Sequence, residues 1–262
     1  MPARGKAATM DRVLGIDVGG TGIKAGVVEI AQGKLLTGTE KIPTPQPATP
    51  AGIFSAIEQI LEKFHWDGPI GCGFPAIVKK GVTRSAANID REWIGYDALG
   101  QLKKLTSHPV NIINDADAAG LAEMRFGAGK PFNHERGGVV LMITLGTGIG
   151  SALFVNGNLL PNSELGHIEI DGVEAEKNAA TVIRERNGWS WEEWGRRVNR
   201  YLQTIEFLLS PDVIIVGGGV SESNEKFFPF LNLQACLLAA KMGNDAGIVG
   251  AALAAGELGG AK

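Results

Sequence analysis

The apolar stretch Val110-Asn111-Ile112-Ile113 runs into Asn114-Asp115-Ala116-Asp117-Ala118-Ala119-Gly120, so a strand ends at a carboxylate just where an alanine-rich helix begins. At such a junction Asp115 stands at the rim of a sheet, beside backbone N–H groups and facing the crevice in which open α/β sheets bind ligands. That position suits a general base. The same residue could equally be only the helix N-cap, a role aspartate fills well. A second chemistry comes from glycine. Gly19-Gly20-Thr21, Gly146-Thr147-Gly148 and Gly217-Gly218-Gly219 each follow a strand-like run. Turns of this kind let consecutive N–H groups converge on an anion, and Thr21 and Thr147 can add a hydroxyl. The pattern suits phosphate, although tight hairpin turns alone would also use glycine. There is no GxxxxGK[ST] signature, and Gly146-Thr147-Gly148-Ile149-Gly150 lacks the GxGxxG spacing of a dinucleotide site.

The elements that must position these residues follow from local pattern. Val13 to Val18 and Ile23 to Ile30 read as a hairpin closed by the first glycine turn, with Leu35 to Ile42 available as a third strand. Pro43-Thr44-Pro45-Gln46-Pro47 is an extended connector. Thr49 and Pro50 form an N-cap and first helical position, followed by Ile53, Phe54, Ile57, Ile60, Leu61 and Phe64 at helical spacing. Ile70 to Phe74 is a strand, and Gly81 to Asp90 a loop. Val139 to Leu145 and Ser151 to Val155 make a second hairpin around the second glycine turn. Gly20-Thr21-Gly22-Ile23 and Gly146-Thr147-Gly148-Ile149 are the same four residues in the same setting, which suggests two related domains facing one another. Asn162 to Asp171 is polar, with helical sequence from Ala175. Ser190-Trp191-Glu192-Glu193 is a capping box opening a long helix with Trp194, Val198, Tyr201, Leu202, Ile205, Leu208 and Leu209 on its apolar face; its tryptophans read as core. Pro211 ends it, Val213 to Val216 is a buried strand, and Ala246 to Leu258 is helix-prone.

Composition sets the frame. With 262 residues, 44 % hydrophobic and 20 % charged, the chain can bury one large core or two modest ones. A net charge of −3 gives no global pull on nucleic acid or an anionic membrane, so any polyanion must meet a local patch. Arg84, Lys79, Lys80, Lys130, Arg184, Arg186 and Lys226 could supply one, or could be ordinary surface charges. Cys72 and Cys236 lack metal-site or disulfide-framework spacing, which points to a reducing cytoplasm. No apolar run reaches the roughly 20 residues of a membrane span, and residues 1–12 are expected to be a disordered tail.

Asp17-Val18-Gly19-Gly20-Thr21-Gly22-Ile23-Lys24, Thr144-Leu145-Gly146-Thr147-Gly148-Ile149-Gly150, Asn114-Asp115 and Glu164-Leu165-Gly166-His167 together resemble the ROK family of sugar kinases and sugar-responsive repressors. Within it, Thr44 to Pro50, Ser85-Ala86-Ala87-Asn88 and Asn114 to Glu123 look like the polyphosphate glucokinases. The resemblance runs from about Val13 to Ala255. It implies an α/β, actin-like ATPase (ribonuclease H-like) fold of two domains, each with a mixed sheet and flanking helices, with the active site in the interdomain cleft. The boundaries expected are 13–113 for a smaller N-terminal domain, on which a helix at 246–258 packs back, and 114–245 for a larger one.

By the same resemblance Asp115 is the catalytic base for the 6-hydroxyl of glucose or a related hexose such as mannose. Asp17 would act on Mg²⁺ through water. Asn88, Asn114, Asp115, Glu164, His167 and Glu176 would hold sugar hydroxyls, with Glu174 a competitor for the last place. Asp17, Gly19, Gly20, Thr21, Lys24, Thr144, Gly146, Thr147, Gly148, Gly217, Gly218 and Gly219 would bind the donor, polyphosphate or ATP; Lys24 could instead be a strand-surface lysine. Many members follow the ELGH segment with a CxCGxxGC zinc cluster. This chain has no cysteine between Cys72 and Cys236, so no structural zinc is expected. Family members are commonly homodimers, and no nucleic-acid or membrane partner is expected. Repressors carry a helix-turn-helix ahead of the DxGGT motif, for which Asp17 stands too near the start, so the regulator reading is expected to fail. The remaining alternatives are a strictly ATP-dependent kinase for a hexose or N-acyl-hexosamine and a non-catalytic sugar sensor.

Overall fold

Val13, Leu14, Ile16 and Val18 are all buried, and the strand they build, β1 (Arg12–Val18), turns through glycines into its antiparallel partner β2 (Gly22–Glu29). The computed structural model describes residues 11–87, 89–133 and 137–256. The tail through residue 10 and Asn88 lie outside them, while Asp11 already accepts a hydrogen bond from Ile30 N–H at 3.1 Å. The chain divides into two compact units, residues 1–119 with 247–262, and residues 120–246.

The first unit is a six-stranded mixed sheet. β1 pairs parallel with β5 (Ile70–Phe74), and β5 with β8 (Val110–Asn114). The expected third strand is broken into β3 (Lys34–Leu35) and β4 (Glu40–Pro43), both paired with β2. The break arises because Val27 N–H donates to the Thr37 hydroxyl at 3.1 Å instead of to a strand carbonyl. α1 (Pro50–Phe64) starts as the sequence indicates, with Thr49 accepting from Gly52 N–H and Ile53, Phe54, Ile57 and Ile60 buried. The loop after β5 carries two short paired strands, β6 (Val78–Lys79) and β7 (Val82–Thr83), then α2 (Ala98–Leu102). Trp93, fully buried, closes this core: its indole N–H donates to Ala48 C=O at 2.8 Å and its ring lies 4.3 Å from Phe74.

α3 (Asp115–Phe126) follows β8 without a linker and carries the chain into the second unit. There β9 (Val139–Leu145) and β10 (Ile149–Val155) form the second hairpin, β11 (Asn158–Leu160) extends it, and β14 (Val213–Gly217) joins β9 in parallel. β15 (Cys236–Ala239), parallel to β14, adds an edge strand where the sequence shows only a polar-flanked apolar patch. The polar stretch after residue 162 holds a small hairpin, β12 (Glu169–Ile170) with β13 (Val173–Glu174), before α4 (Glu176–Ala179) and α5 (Thr181–Asn187). α6 (Trp191–Leu209) opens with the reciprocal Ser190–Glu193 capping box and buries Trp194, Val198, Tyr201, Leu202 and Ile205. Leu208, assigned by spacing to that face, is instead 56 % exposed at the helix end.

The last helix, α7 (Ala246–Gly256), returns to the first unit. Its alanines and glycines let it lie against backbone: a Cβ on Gly71 would come within 1.8 Å of Ala251 O, and one on Gly250 within 1.6 Å of Ala118 O. Among the described residues no helix is long and apolar enough to cross a membrane.

Candidate active site

The expected site residues divide between the two units. In the first, the helix cap is Asn114 and not Asp115: Asn114 Oδ1 accepts from Asp117 N–H at 3.0 Å, and its amide nitrogen donates to Ala76 C=O at 3.3 Å. Asn114 is therefore buried with both ends of its amide engaged, leaving one amide hydrogen and one lone pair for a ligand. Asp115 becomes the first residue of α3, where its Oδ1 accepts from Ala116 N–H at 2.8 Å. Asp115 thus stands at the N-terminal end of the helix, the positive end of its dipole.

Asp17 sits on β1 opposite Lys24 in the ladder. Burial raises its pKa above the usual carboxylate range, opposed by the Lys24 charge. The N-terminus of α7 comes so close that a Cβ on Gly247 would lie 2.6 Å from Asp17 Cγ. A carboxylate held this way, with its charge incompletely compensated by the protein, fits a hard cation such as Mg²⁺. Burial and the Asp17 charge together raise the pKa of the neighbouring Cys72 thiol, so it is not a nucleophile. The first glycine turn is oriented by the Thr44-Pro45-Gln46 connector: Thr44 donates its hydroxyl to Gly19 O at 2.5 Å, Gln46 donates to Gly20 O at 3.4 Å, and Thr44 N–H donates to Thr21 O at 3.4 Å. With the carbonyls taken, the N–H groups of Gly20 and Thr21 donate to no backbone carbonyl among the described residues and are available to an anion.

In the second unit the other two glycine turns come together. β9 and β14 are parallel neighbours with Gly217 opposite Thr144, so both turns lie at one sheet edge. Gly218 has φ 83°, and a Cβ there would strike Leu145 O at 2.3 Å; only glycine fits. Gly146 is different, because a Cβ there meets no protein atom within 4 Å.

Behind the second turn stands the Glu164-Leu165-Gly166-His167 segment, a single 3₁₀ turn. Ser151 fixes it to β10, donating to Ser163 O at 2.6 Å and accepting from Leu165 N–H at 3.0 Å. A Cβ on Gly166 would come within 2.2 Å of Ile149 O, so the segment touches the strand backbone. His167 is then ringed by carboxylates: Nε2 lies 3.8 Å from Glu164, and Nδ1 lies 3.5 Å from Glu174 and 3.9 Å from Glu176. Two acceptors beside Nδ1 favour the Nδ1–H tautomer. Glu176 also accepts from Ile149 N–H at 3.4 Å, tying the cluster to the turn. Glu174 and Glu176 therefore both belong to the cluster, but Glu174 is paired with Lys177 at 2.6 Å, which holds its carboxyl below the usual range. Burial raises Glu164, helped by Glu176 and opposed by His167. His167, Glu174 and Glu176 offer ligand atoms within 4.8 Å of one another, though the Lys177 ammonium competes with any cation for Glu174.

Taken separately, the first unit offers bare N–H groups, threonine hydroxyls and an amide, and the second offers two glycine turns, carboxylates and an imidazole; such groups suit phosphate and a polyhydroxylated ligand. Sequence reasoning missed the orienting roles of Thr44, Gln46 and Lys177. A threonine and a glutamine inside a proline-rich connector are the trace that could have marked the first two.

The ROK family model matches residues 13–181. The polyphosphate glucokinase of Mycobacterium tuberculosis is 46 % identical over 249 residues, covering 95 % of this chain and 92 % of that protein. Among solved structures, the inorganic polyphosphate/ATP-glucomannokinase from Arthrobacter sp. strain KM is 47 % identical with a TM-score of 0.87, over 92 % of this chain and 97 % of that one. A ROK family glucokinase from Streptomyces griseus, in complex with glucose and AMPPNP, is 27 % identical with a TM-score of 0.77, over 92 % of this chain and 98 % of that one.

Proposed function

This chain belongs to the ROK family, and from that premise we propose that it is a sugar kinase transferring a phosphoryl group from inorganic polyphosphate or ATP to the 6-hydroxyl of glucose. Similarity to the Mycobacterium and Arthrobacter enzymes along nearly the whole chain supports polyphosphate as a donor. The observation that carries the chemistry is the position of Asp115, the first residue of α3 at the end of β8 and directly after the capping Asn114.

In this reading Asp115 accepts the proton of the sugar hydroxyl as its oxygen bonds to the terminal phosphorus. The bond from that phosphorus to the bridging oxygen breaks, and the donor leaves one phosphate shorter, as ADP when ATP is used. Alignment and charge stabilisation supply most of the rate. In the same reading Asn88, Asn114, Glu164, His167 and Glu176 hold the sugar hydroxyls. Gly19, Gly20, Thr21, Thr144, Gly146, Thr147, Gly148 and the Gly217–Gly219 turn receive the donor phosphates, with Lys24 adding charge. Mg²⁺, held by Asp17 through water, would neutralise phosphate charge when bound. The two unbridged cysteines agree with a reducing cytoplasm.

The test is glucose 6-phosphate formation by the purified protein with Mg²⁺, comparing ATP and long-chain polyphosphate at matched phosphate concentration. Turnover with both donors, faster with polyphosphate, is expected. Turnover with ATP alone would move the protein among ATP-dependent glucokinases, and none with either would overturn the kinase reading.

A further inference from the structure

Of the basic residues that could meet a polyanion, two are brought to one tryptophan ring, Trp191. Gly146 C=O accepts from Val182 N–H at 3.2 Å, which fastens the first turn of α5 to the phosphate turn. Thr181, at the start of that helix, has a buried hydroxyl with no hydrogen-bond partner among the described residues. Arg184 follows three residues on. Its guanidinium carbon lies 3.6 Å from the centroid of the Trp191 ring, and its Nε is likewise buried without a partner. Lys226, exposed, places its ammonium 5.4 Å from the same ring. Trp191 is backed in turn by the buried Phe227, 6.3 Å away and nearly parallel at 17°.

Neither cation has an ion-pair partner among the described residues, unlike several basic residues nearby. Arg196 pairs with Glu192 at 2.7 Å, Arg200 with Asp171 at 3.6 Å and Lys177 with Glu174 at 2.6 Å. The tryptophans at the head of α6 thus divide: Trp194 is core, whereas Trp191 is a half-buried platform carrying charge. A guanidinium stacked on a ring keeps its charge and its in-plane N–H donors, and the stack limits the side-chain freedom lost when phosphate is bound. Two positive charges without ion-pair partners near one ring raise the local potential toward an anion.

ATP ends in a neutral base after three phosphates, whereas a long polyphosphate carries charge on every unit. Its remainder must leave the turn across some surface, and α5, fastened to Gly146, leads to Arg184 and Lys226 at the Trp191 ring, neither with an ion-pair partner among the described residues. We propose that Arg184 and Lys226, mounted on Trp191, bind the polyphosphate chain behind the phosphoryl group that reacts. The proposal rests on the polyphosphate reading of the donor and deepens it.

The experiment compares wild type with Arg184→Gln/Lys226→Gln and with Lys226→Gln alone, whose site is at the surface. Initial rates are measured with long-chain polyphosphate and with ATP, and polyphosphate binding is measured by calorimetry without glucose. The double variant is expected to raise the polyphosphate KM about tenfold or more, the loss of two charge-assisted phosphate contacts, and to weaken calorimetric binding in parallel. The ATP KM should move less than about twofold, since no contact to the triphosphate is removed. The dependence of log KM on log salt should become shallower by on the order of one for each cation removed. Lys226→Gln alone should show the same donor-selective change at smaller size. An unchanged polyphosphate KM, or an equal rise for both donors, would overturn the proposal. If wild type binds polyphosphate but transfers nothing to glucose, and the variants lose that binding, the kinase reading fails while the site stands.

Discussion

Moving the helix cap one residue upstream changes what Asp115 is available for. Asn114 accepts the N–H of Asp117 and Asp115 accepts that of Ala116, so the N-cap is Asn114 and the carboxylate stands one residue inside the helix. Asp115→Asn is expected to keep the fold and glucose affinity while lowering kcat by about 10²–10⁴-fold; calorimetric glucose binding beside initial rates checks both, and near-normal turnover would refute the assignment. Gly146→Ala separates ligand from protein, because the added methyl meets no protein atom. Its stability should stay within about 0.5 kcal/mol while the donor KM rises, and an unaltered KM would make the glycine a mere turn former. Glu164 supplies a sign for pH. Its carboxyl titrates above the ordinary range because it is buried, so the folded protein binds its proton more readily than the unfolded chain. The charged form therefore costs stability as pH rises through the raised pKa. Glu164→Gln is expected to melt higher than wild type at neutral pH, with the gap closing in acid, and to weaken glucose binding at neutral pH. A lower melting temperature for the variant at neutral pH would show that the charge is stabilising instead.

At the scale of elements, short-range signals were legible and long-range ones were not. Thr49-Pro50, the Ser190–Glu193 box and the two glycine-closed hairpins announce themselves because caps and turns are satisfied by residues a few positions away. β15 did not, since four residues gain strand geometry only from pairing with β14. The Glu174–His167–Glu176 cluster was half legible: spacing pairs Glu164 with His167 on one turn, but only the small β12–β13 hairpin brings Glu174 to the ring. The cap at Asn114 was missed because spacing cannot say which residue of a strand–helix junction is the last in the strand. α7 shows the same limit. Its helicity is plain in its alanines, yet its Gly250 and the Gly71 of β5 mark close backbone approach to α3 and β5 that no local pattern reveals. Gly250→Val should destabilise the protein by about 3 kcal/mol or more, since valine would have to displace the Ala118 carbonyl rather than a movable side chain. Because Ala118 lies one turn from Asp115, kcat should fall with it. Urea unfolding with parallel kinetics measures both, and a wild-type midpoint would refute the packing argument.

Across the whole molecule one device appears twice: a hairpin closed by a Gly-Thr-Gly turn, followed by two parallel strands on the hairpin's first strand. The repeated tetrad made that duplication readable in the sequence. The units are threaded differently. The second is continuous over residues 120–246, while the first is assembled from both ends of the chain. Glu123 lies beside both crossings. Fully buried, its carboxylate accepts N–H groups from Ala128 at 2.7 Å, Lys241 at 2.8 Å and Met242 at 2.6 Å, joining α3 to the segment that leads into α7. A chain cut before α7 should lose amide-exchange protection at Leu14 and Ile70 yet keep it at Ile214, because only the first unit loses packing. Uniform protection after the cut would show that α7 is dispensable.

The same threading sets an order of birth. During synthesis β1, β5 and β8 emerge well before α7, the helix that covers Gly15 of β1 and Gly71 of β5. At ordinary translation rates the half of the protein begun earliest waits roughly ten seconds or more for its final piece, while the later half can close around its own core. Over that interval the nascent chain offers an uncovered apolar sheet, a natural point of engagement for a chaperone.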